Sequence, residues 1–133
     1  MTKIARTLLV TSILAVAGTS APALAGSKQG LTVRIDQTAH IARGNLGAAR
    51  NSADANQYIG CYITTNGQGF SLGVCVAVDA QSTSASCIFV NNPGLQAAVQ
   101  ALNGDSLLLF GWDTAGTCTT LQVENFSSYE PKK

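Results

Sequence analysis

The stretch from Gln57 to Val90, QYIGCYITTNGQGFSLGVCVAVDAQSTSASCIFV, constrains the fold most, because three apolar runs separated by two turn-rich breaks carry three of the four cysteines. Runs of this length bounded by Gly, Asn, Asp and Ser read as strands. The stretch therefore predicts a β-meander locked by disulfides. Between the first two runs lies Asn66-Gly67, a pair suited to the left-handed angles of a two-residue hairpin turn. Such a turn sets Ile63 opposite Phe70, Cys61 opposite Leu72 and Ile59 opposite Val74. It gathers Phe70, Leu72, Val74, Val76 and Val78 on a core face and leaves Ser71, Gly73, Cys75, Ala77 and Asp79 on the other. The next turn, centred near Gln81, sets Cys75 opposite Cys87 and Val74 opposite Ile88. Of the three pairings open to four cysteines, the register makes an outer-face Cys75–Cys87 disulfide the first choice, with Cys61 left to meet Cys118.

Ahead of this stretch, the chain opens with Lys3 and Arg6, an apolar run from Thr7 to Ala17, and Ala23-Leu24-Ala25 before Gly26. That is the layout of a secretory signal peptide over residues 1–25. The apolar run is too short for a permanent bilayer span, and Gly26 cannot take a lipid as a cysteine would. The expected product is secreted or periplasmic, with no membrane anchor. The remainder suffices for one domain. It divides into an N-terminal strand or arm over 26–45, a disulfide-stapled β-rich domain over 46–131 and a frayed tail at 132–133. Cysteines in an oxidising compartment read as disulfides, and the lack of a C-x-x-C pair argues against a metal site.

Without Lys3 and Arg6, six basic residues stand against seven acidic ones, and residues 51–131 hold no Lys or Arg. That span carries Asp54, Asp79, Asp105, Asp113, Glu124 and Glu130, a sign of charge that repels phosphate backbones and argues against a nucleic-acid partner.

Residues 31–42 alternate, with Leu31, Val33, Ile35, Ala39 and Ile41 on one side and Thr32, Arg34, Asp36, Thr38 and His40 on the other. Period two over this length predicts one strand. It either joins the sheet in cis or adds in trans to the sheet edge of another molecule, so that the chain associates with itself or with a protein partner. Residues 43–56 read as a connector with a helical turn at Leu46–Arg50. Downstream, Asn92 and Pro93 start a helix with Leu95, Ala98, Val99 and Leu102 on one face, and Asn103-Gly104 ends it. This helix is expected to lie on the apolar face of the sheet. Residues 106–112 read as a central strand, and a turn at Asp113–Gly116 leads into a last strand. The fold class is α+β, mainly β: an antiparallel meander of five to six strands, one short helix packed on one face, and two disulfides.

The segments Ala49-Arg50-Asn51-Ser52-Ala53-Asp54 and Gln57-Tyr58-Ile59-Gly60-Cys61, with Asn91-Asn92-Pro93, Trp112 and Cys118 further on, resemble a family of small exported bacterial proteins of uncharacterised role. The resemblance runs from about Leu46 to Pro131. It implies domain limits, and no activity, ligand or catalytic residue comes with it.

Chemistry is sparse. His40 is the single histidine, and on a continuous strand Asp36 lies too far along to bond it. Asp79 and Asp113 fall in turns, where Asp side chains bond the local backbone. No nucleophile turn, cofactor loop or spaced metal ligand set is present, so no catalytic, cofactor or metal residue is assigned. The remaining candidates are aromatic. Tyr58 and Tyr62 alternate with Ile59, Cys61 and Ile63 and point away from the core, either packing under the 31–42 strand or binding a partner. With Trp112 they make a candidate binding face. The expected function is a non-enzymatic interaction or structural module binding a protein partner or itself. The alternative is a carbohydrate-binding or glycan-acting protein using that aromatic face. A secreted inhibitor would instead present the 75–87 segment as a loop held by a disulfide at its base.

Overall fold

A computed structural model describes residues 28–131; the expected signal peptide and the tail at 132–133 lie outside the described residues. In chain order the elements are β1 (Arg34–Asp36), β2 (Ile41–Asn45), α1 (Leu46–Arg50), β3 (Tyr58–Thr65), β4 (Ser71–Val78), β5 (Ser84–Val90), α2 (Pro93–Gln100), β6 (Leu107–Trp112) and β7 (Cys118–Glu124). They form two antiparallel sheets, β1-β2-β6-β7 and β3-β4-β5. Ala42, Leu108 and Phe110 from the first sheet meet Ile59, Cys75, Ala77 and Phe89 from the second in one core. The mainly β class with two disulfides holds.

One turn is built three times. Asn66, Asp79 and Asp113 each donate the backbone N–H to the carbonyl four residues on (Phe70, Thr83, Thr117) at 3.0 Å. Each side-chain oxygen accepts N–H bonds from the residues two and four positions later, over 2.8–3.0 Å. The fourth residue takes a left-handed conformation, with φ 84° at Gly69, 64° at Ser82 and 78° at Gly116. This is a three-residue hairpin loop with a bulge.

For the first hairpin this turn overturns the expected register. The loop at Asn66 runs one residue longer than a two-residue turn and is displaced along the chain, so Tyr62 faces Val74 and Cys61 faces Cys75. An odd shift exchanges the faces of β4. Ser71, Gly73, Cys75 and Ala77 point into the core, while Leu72, Val74, Val76 and Val78 are half-exposed outside. Small inner side chains leave room for Phe89, whose ring covers Gly73 so closely that a Cβ there would collide with it. The β4–β5 register is as expected, with Cys75 opposite Cys87 and Val74 opposite Ile88.

The disulfides nevertheless pair Cys61 with Cys75 and Cys87 with Cys118. The Cys75–Cys87 expectation fails because the true β3–β4 register brings Cys61 beside Cys75, with Cα atoms 4.1 Å apart. Cys87 then reaches across to the start of β7. The first bond staples neighbouring strands and the second staples the two sheets. No disulfide closes the 75–87 segment, so the inhibitor-like loop has no base.

The expected strand over 31–42 is broken into a hairpin. Asp36 Oδ1 accepts the N–H groups of Thr38 and Ala39 at 2.9 and 2.8 Å, and His40 at φ 54° completes the reversal. Its second arm, β2, is paired on both sides, to β1 and to β6.

Asn45 ties this region down. Fully buried, it caps α1 by accepting Ala48 N–H at 2.9 Å and donates to the carbonyls of Asp105 and Ser106. Helix α2 starts at Asn92 and Pro93 as expected but ends at Gln100 with Ala101 as its cap, a turn short of Gly104. Leu95, Val99 and Leu102 join the core. The helix packs against β7 and β3 and leaves the outer face of the meander uncovered.

The two ends of the described segment meet. Gln29 N–H donates to Ser128 at 2.7 Å and Glu130 N–H to Gln29 at 3.1 Å. Tyr129 is buried, and burial together with Glu124, whose carboxylate accepts its hydroxyl hydrogen bond, pushes the phenol up to about 12. At the start of β3, hydrogen bonds from the Gln57 side chain and from the Gln57 and Asn56 N–H groups hold the Asp54 carboxyl at about 2. The oriented Gln57 amide accepts Val33 N–H at 2.9 Å, joining the N-terminal segment to the meander.

Candidate functional site

The register of β3-β4-β5 arranges the outer face in four cross-strand rows: Tyr58–Val78–Ser84, Gly60–Val76–Ser86, Tyr62–Val74–Ile88 and Thr64–Leu72–Val90. None of these twelve side chains carries a formal charge. Tyr58 and Tyr62 are 53% and 55% exposed, Ile88 and Val90 49% and 48%, and Phe70 at the end of the face 45%. Scattered exposed apolar residues are ordinary on a protein surface, but a contiguous patch is not. Here the bulkiest side chains of β4 lie in that patch, since the turn at Asn66 fixes which side of the strand faces out.

The two tyrosines thus belong to an open surface. They do not pack under the N-terminal segment, which is occupied by its own hairpin and by β6. On edge strand β3 they border an aliphatic floor made by Val74, Val76 and Val78.

Trp112 is separated from them. It sits on β6 in the other sheet, half-buried between His40 and Phe110, with ring centroids 5.7 and 5.9 Å away. The structure therefore divides the expected aromatic set in two.

Around Trp112 lies a shallow groove of about 280 Å3 that brings His40 and Asp113 together with Ser84 and Ser86. The residue types are those of a nucleophile, base and orienting acid, but their bonds are not. Asp113 Oδ1 accepts Ala115 and Thr117 N–H at 2.9 and 2.8 Å, and the imidazole lies tilted against the Trp112 ring. Asp79 likewise serves its own turn through Gln81 and Thr83. A hollow of about 660 Å3 opens beside Arg34, Asp36, Ile41, Arg43 and Leu109 on the outer side of the other sheet.

Cys75, Cys87 and Cys118 bring their sulfurs within 4.8 Å of one another. All belong to disulfides, and a disulfide sulfur lacks the thiolate charge that binds a metal. Two disulfides fit an oxidising setting.

Sequence reasoning had the tyrosines but missed the Leu72, Val74, Val76 and Val78 floor between them and β5. The available signal was the repeated turn pattern, Asn66-Gly-Gln-Gly69, Asp79-Ala-Gln-Ser82 and Asp113-Thr-Ala-Gly116. No family model, curated protein or solved structure matches the chain.

Proposed function

We propose that this protein is an exported, non-enzymatic interaction module that docks through the outer face of β3-β4-β5 onto an equally apolar protein face, in the first instance that of a second copy. The observation that carries the reading is the absence of charge from twelve contiguous outward positions, with aliphatic residues at the centre and tyrosines at the margin. Interfaces are depleted of charge at their centre and enriched in aromatic residues. A surface without charge offers nothing to a charged ligand, whereas two copies related by a two-fold axis match each other in polarity by construction.

The stretches 58–64, 72–78 and 84–90 that carry the four rows cover about 23 by 14 Å, roughly 300 Å2 in plan, below the about 800 Å2 per partner of a standard interface. Association through this face alone is therefore weak. Sedimentation equilibrium up to about 1 mM tests it, with Val76→Lys as control, because small neighbours Gly60 and Ser86 leave room for the new side chain. The wild type is expected to shift toward a dimer and the variant to stay monomeric and folded, with a melting temperature lowered by no more than about 8 °C. A wild-type monomer throughout the range removes self-association, and a dimer that survives Val76→Lys removes the face.

Exposure of Tyr58 and Tyr62 also favours a second reading, a glycan platform. Its polar groups on this face are limited to hydroxyls of Thr64, Ser84 and Ser86 besides the tyrosines. A glycan array separates the readings, since binding abolished by Tyr62→Ala but kept by Val76→Lys belongs to sugar stacking.

A further inference from the structure

Cys61, Cys75 and Cys87 occupy one cross-strand row of β3, β4 and β5. Its two covalent bonds run in different directions, Cys61–Cys75 along the row and Cys87–Cys118 across to the other sheet. As a result Cys75 Sγ lies within 4.8 Å of both sulfurs of a disulfide to which it does not belong. The four cysteines also differ in exposure as residues. Cys75, Cys87 and Cys118 are 0%, 2% and 5% exposed, while Cys61 is half-buried on edge strand β3. Exchange proceeds by attack of a thiolate on a disulfide sulfur, and its rate depends on access and on which sulfur leaves.

We propose that Cys61 is a thiol-exchange site for a low-molecular-weight thiol, and that the Cys75 thiolate released there passes the exchange on to the Cys87–Cys118 bond. The external thiolate attacks Cys61 Sγ, a sulfur–sulfur bond forms between them, and the Cys61–Cys75 bond breaks with its electron pair leaving on Cys75. Cys75 Sγ then attacks Cys87 Sγ, its register partner. The Cys75–Cys87 bond forms, the Cys87–Cys118 bond breaks, and Cys118 leaves as a thiolate that takes up the proton given up by the external thiol. One thiol is consumed and one appears, so no oxidant or reductant is needed. The relay carries the charge from Cys75, 0% exposed, to Cys118, 5% exposed, where protonation removes it, and burial disfavours leaving it on Cys75. The consequence is structural. Modification on one sheet opens the covalent link between the two sheets.

The Cys61→Ser variant tests the relay without an external reagent, since it leaves Cys75 as the odd thiol. After incubation near pH 8.5, alkylation and peptide mapping, Cys118 is expected to carry at least about a tenth of the label, with a matching Cys75–Cys87 linked peptide. Label confined to Cys75 overturns the proposal. Should the variant not fold, the wild type treated with millimolar reduced glutathione reads the same chemistry. The expected product carries glutathione on Cys61 and a free thiol at Cys118. Glutathione on another cysteine, a free thiol that stays at Cys75, or no adduct at all contradicts it.

Discussion

The outer faces of the two sheets are made by the same kind of antiparallel pairing and differ in what they show to water. On the four-stranded sheet the rows read Arg34–Arg43–Leu109–Gln122 and Asp36–Ile41–Gly111–Thr120. That face mixes charge with apolar contact, as a sheet with one wet side does. On the three-stranded sheet the rows hold valine, leucine, isoleucine and tyrosine with no charge. The difference originates inside. Phe89, Leu108 and Phe110 fill the space between the sheets, so β4 supplies Ser71, Gly73, Cys75 and Ala77 to the interior, and its larger residues face out. A sheet face that looks like a core can thus be the outside of a sandwich whose interior is filled from other strands.

The largest effect on this contrast comes from releasing one sheet from the other. Cys118→Ser cuts the intersheet disulfide and is expected to lower unfolding free energy by about 2–5 kcal/mol in denaturant titration. Next is the packing that turns β4 inside out. Gly73→Ala places a methyl against the Phe89 ring, and overpacking of this kind costs about 1–3 kcal/mol, with the melting temperature falling accordingly. An unchanged melting temperature would mean that Phe89 does not lie over Gly73 and that the faces of β4 are not fixed as described.

Charge placed on the two faces sharpens the comparison further. Val76→Lys on the uncharged face is expected to change stability by less than about 1 kcal/mol while abolishing association. Arg43→Gln on the polar face removes a like-charged cross-strand neighbour from Arg34 and is expected to add about 0.2–1 kcal/mol without affecting association.

The effects of pH come from two groups outside the strands, Tyr129 after β7 and Asp54 before β3. Tyr129 keeps its proton in the folded chain up to about 12 but loses it near 10 when unfolded. Its contribution is therefore whole below pH 10 and fades between 10 and 12. Asp54 shows the opposite sign. Its folded value of about 2 lies below the ordinary 3.8, so its contribution is present above pH 4 and disappears as the pH falls toward 2. Denaturant midpoints measured across pH 2–12 should fall at both ends. Tyr129→Phe is expected to remove the alkaline fall and Asp54→Asn to reduce the acid one.

Much of the fold is legible where local chemistry decides it. Asn92-Pro93 starts α2, the apolar run Leu107–Trp112 becomes an interior strand, and the turn at Asp79 sets the β4–β5 register. What misleads is a pair of turns. Asn66-Gly67 suits a two-residue turn, yet Asn66 accepts bonds from Gln68 and Phe70 and Gly69 takes the left-handed position, so the longer loop wins. Asp36 reverses the chain inside an alternating stretch whose period hides the turn. Both disulfide partners and the outward face of β4 follow from the first of these errors. Nothing local marks Asn45 as a buried hub, since its carbonyl partners at Asp105 and Ser106 come from far along the chain.

The most direct test places a photo-crosslinking phenylalanine analogue at Tyr62 on one face and at Thr120 on the other, in separate samples of otherwise unchanged protein at high concentration. The uncharged face is expected to give a covalent dimer from position 62 and none from 120. Equal yields from both positions, or a dimer from 120 alone, would contradict the assignment of the β3-β4-β5 face as the docking surface.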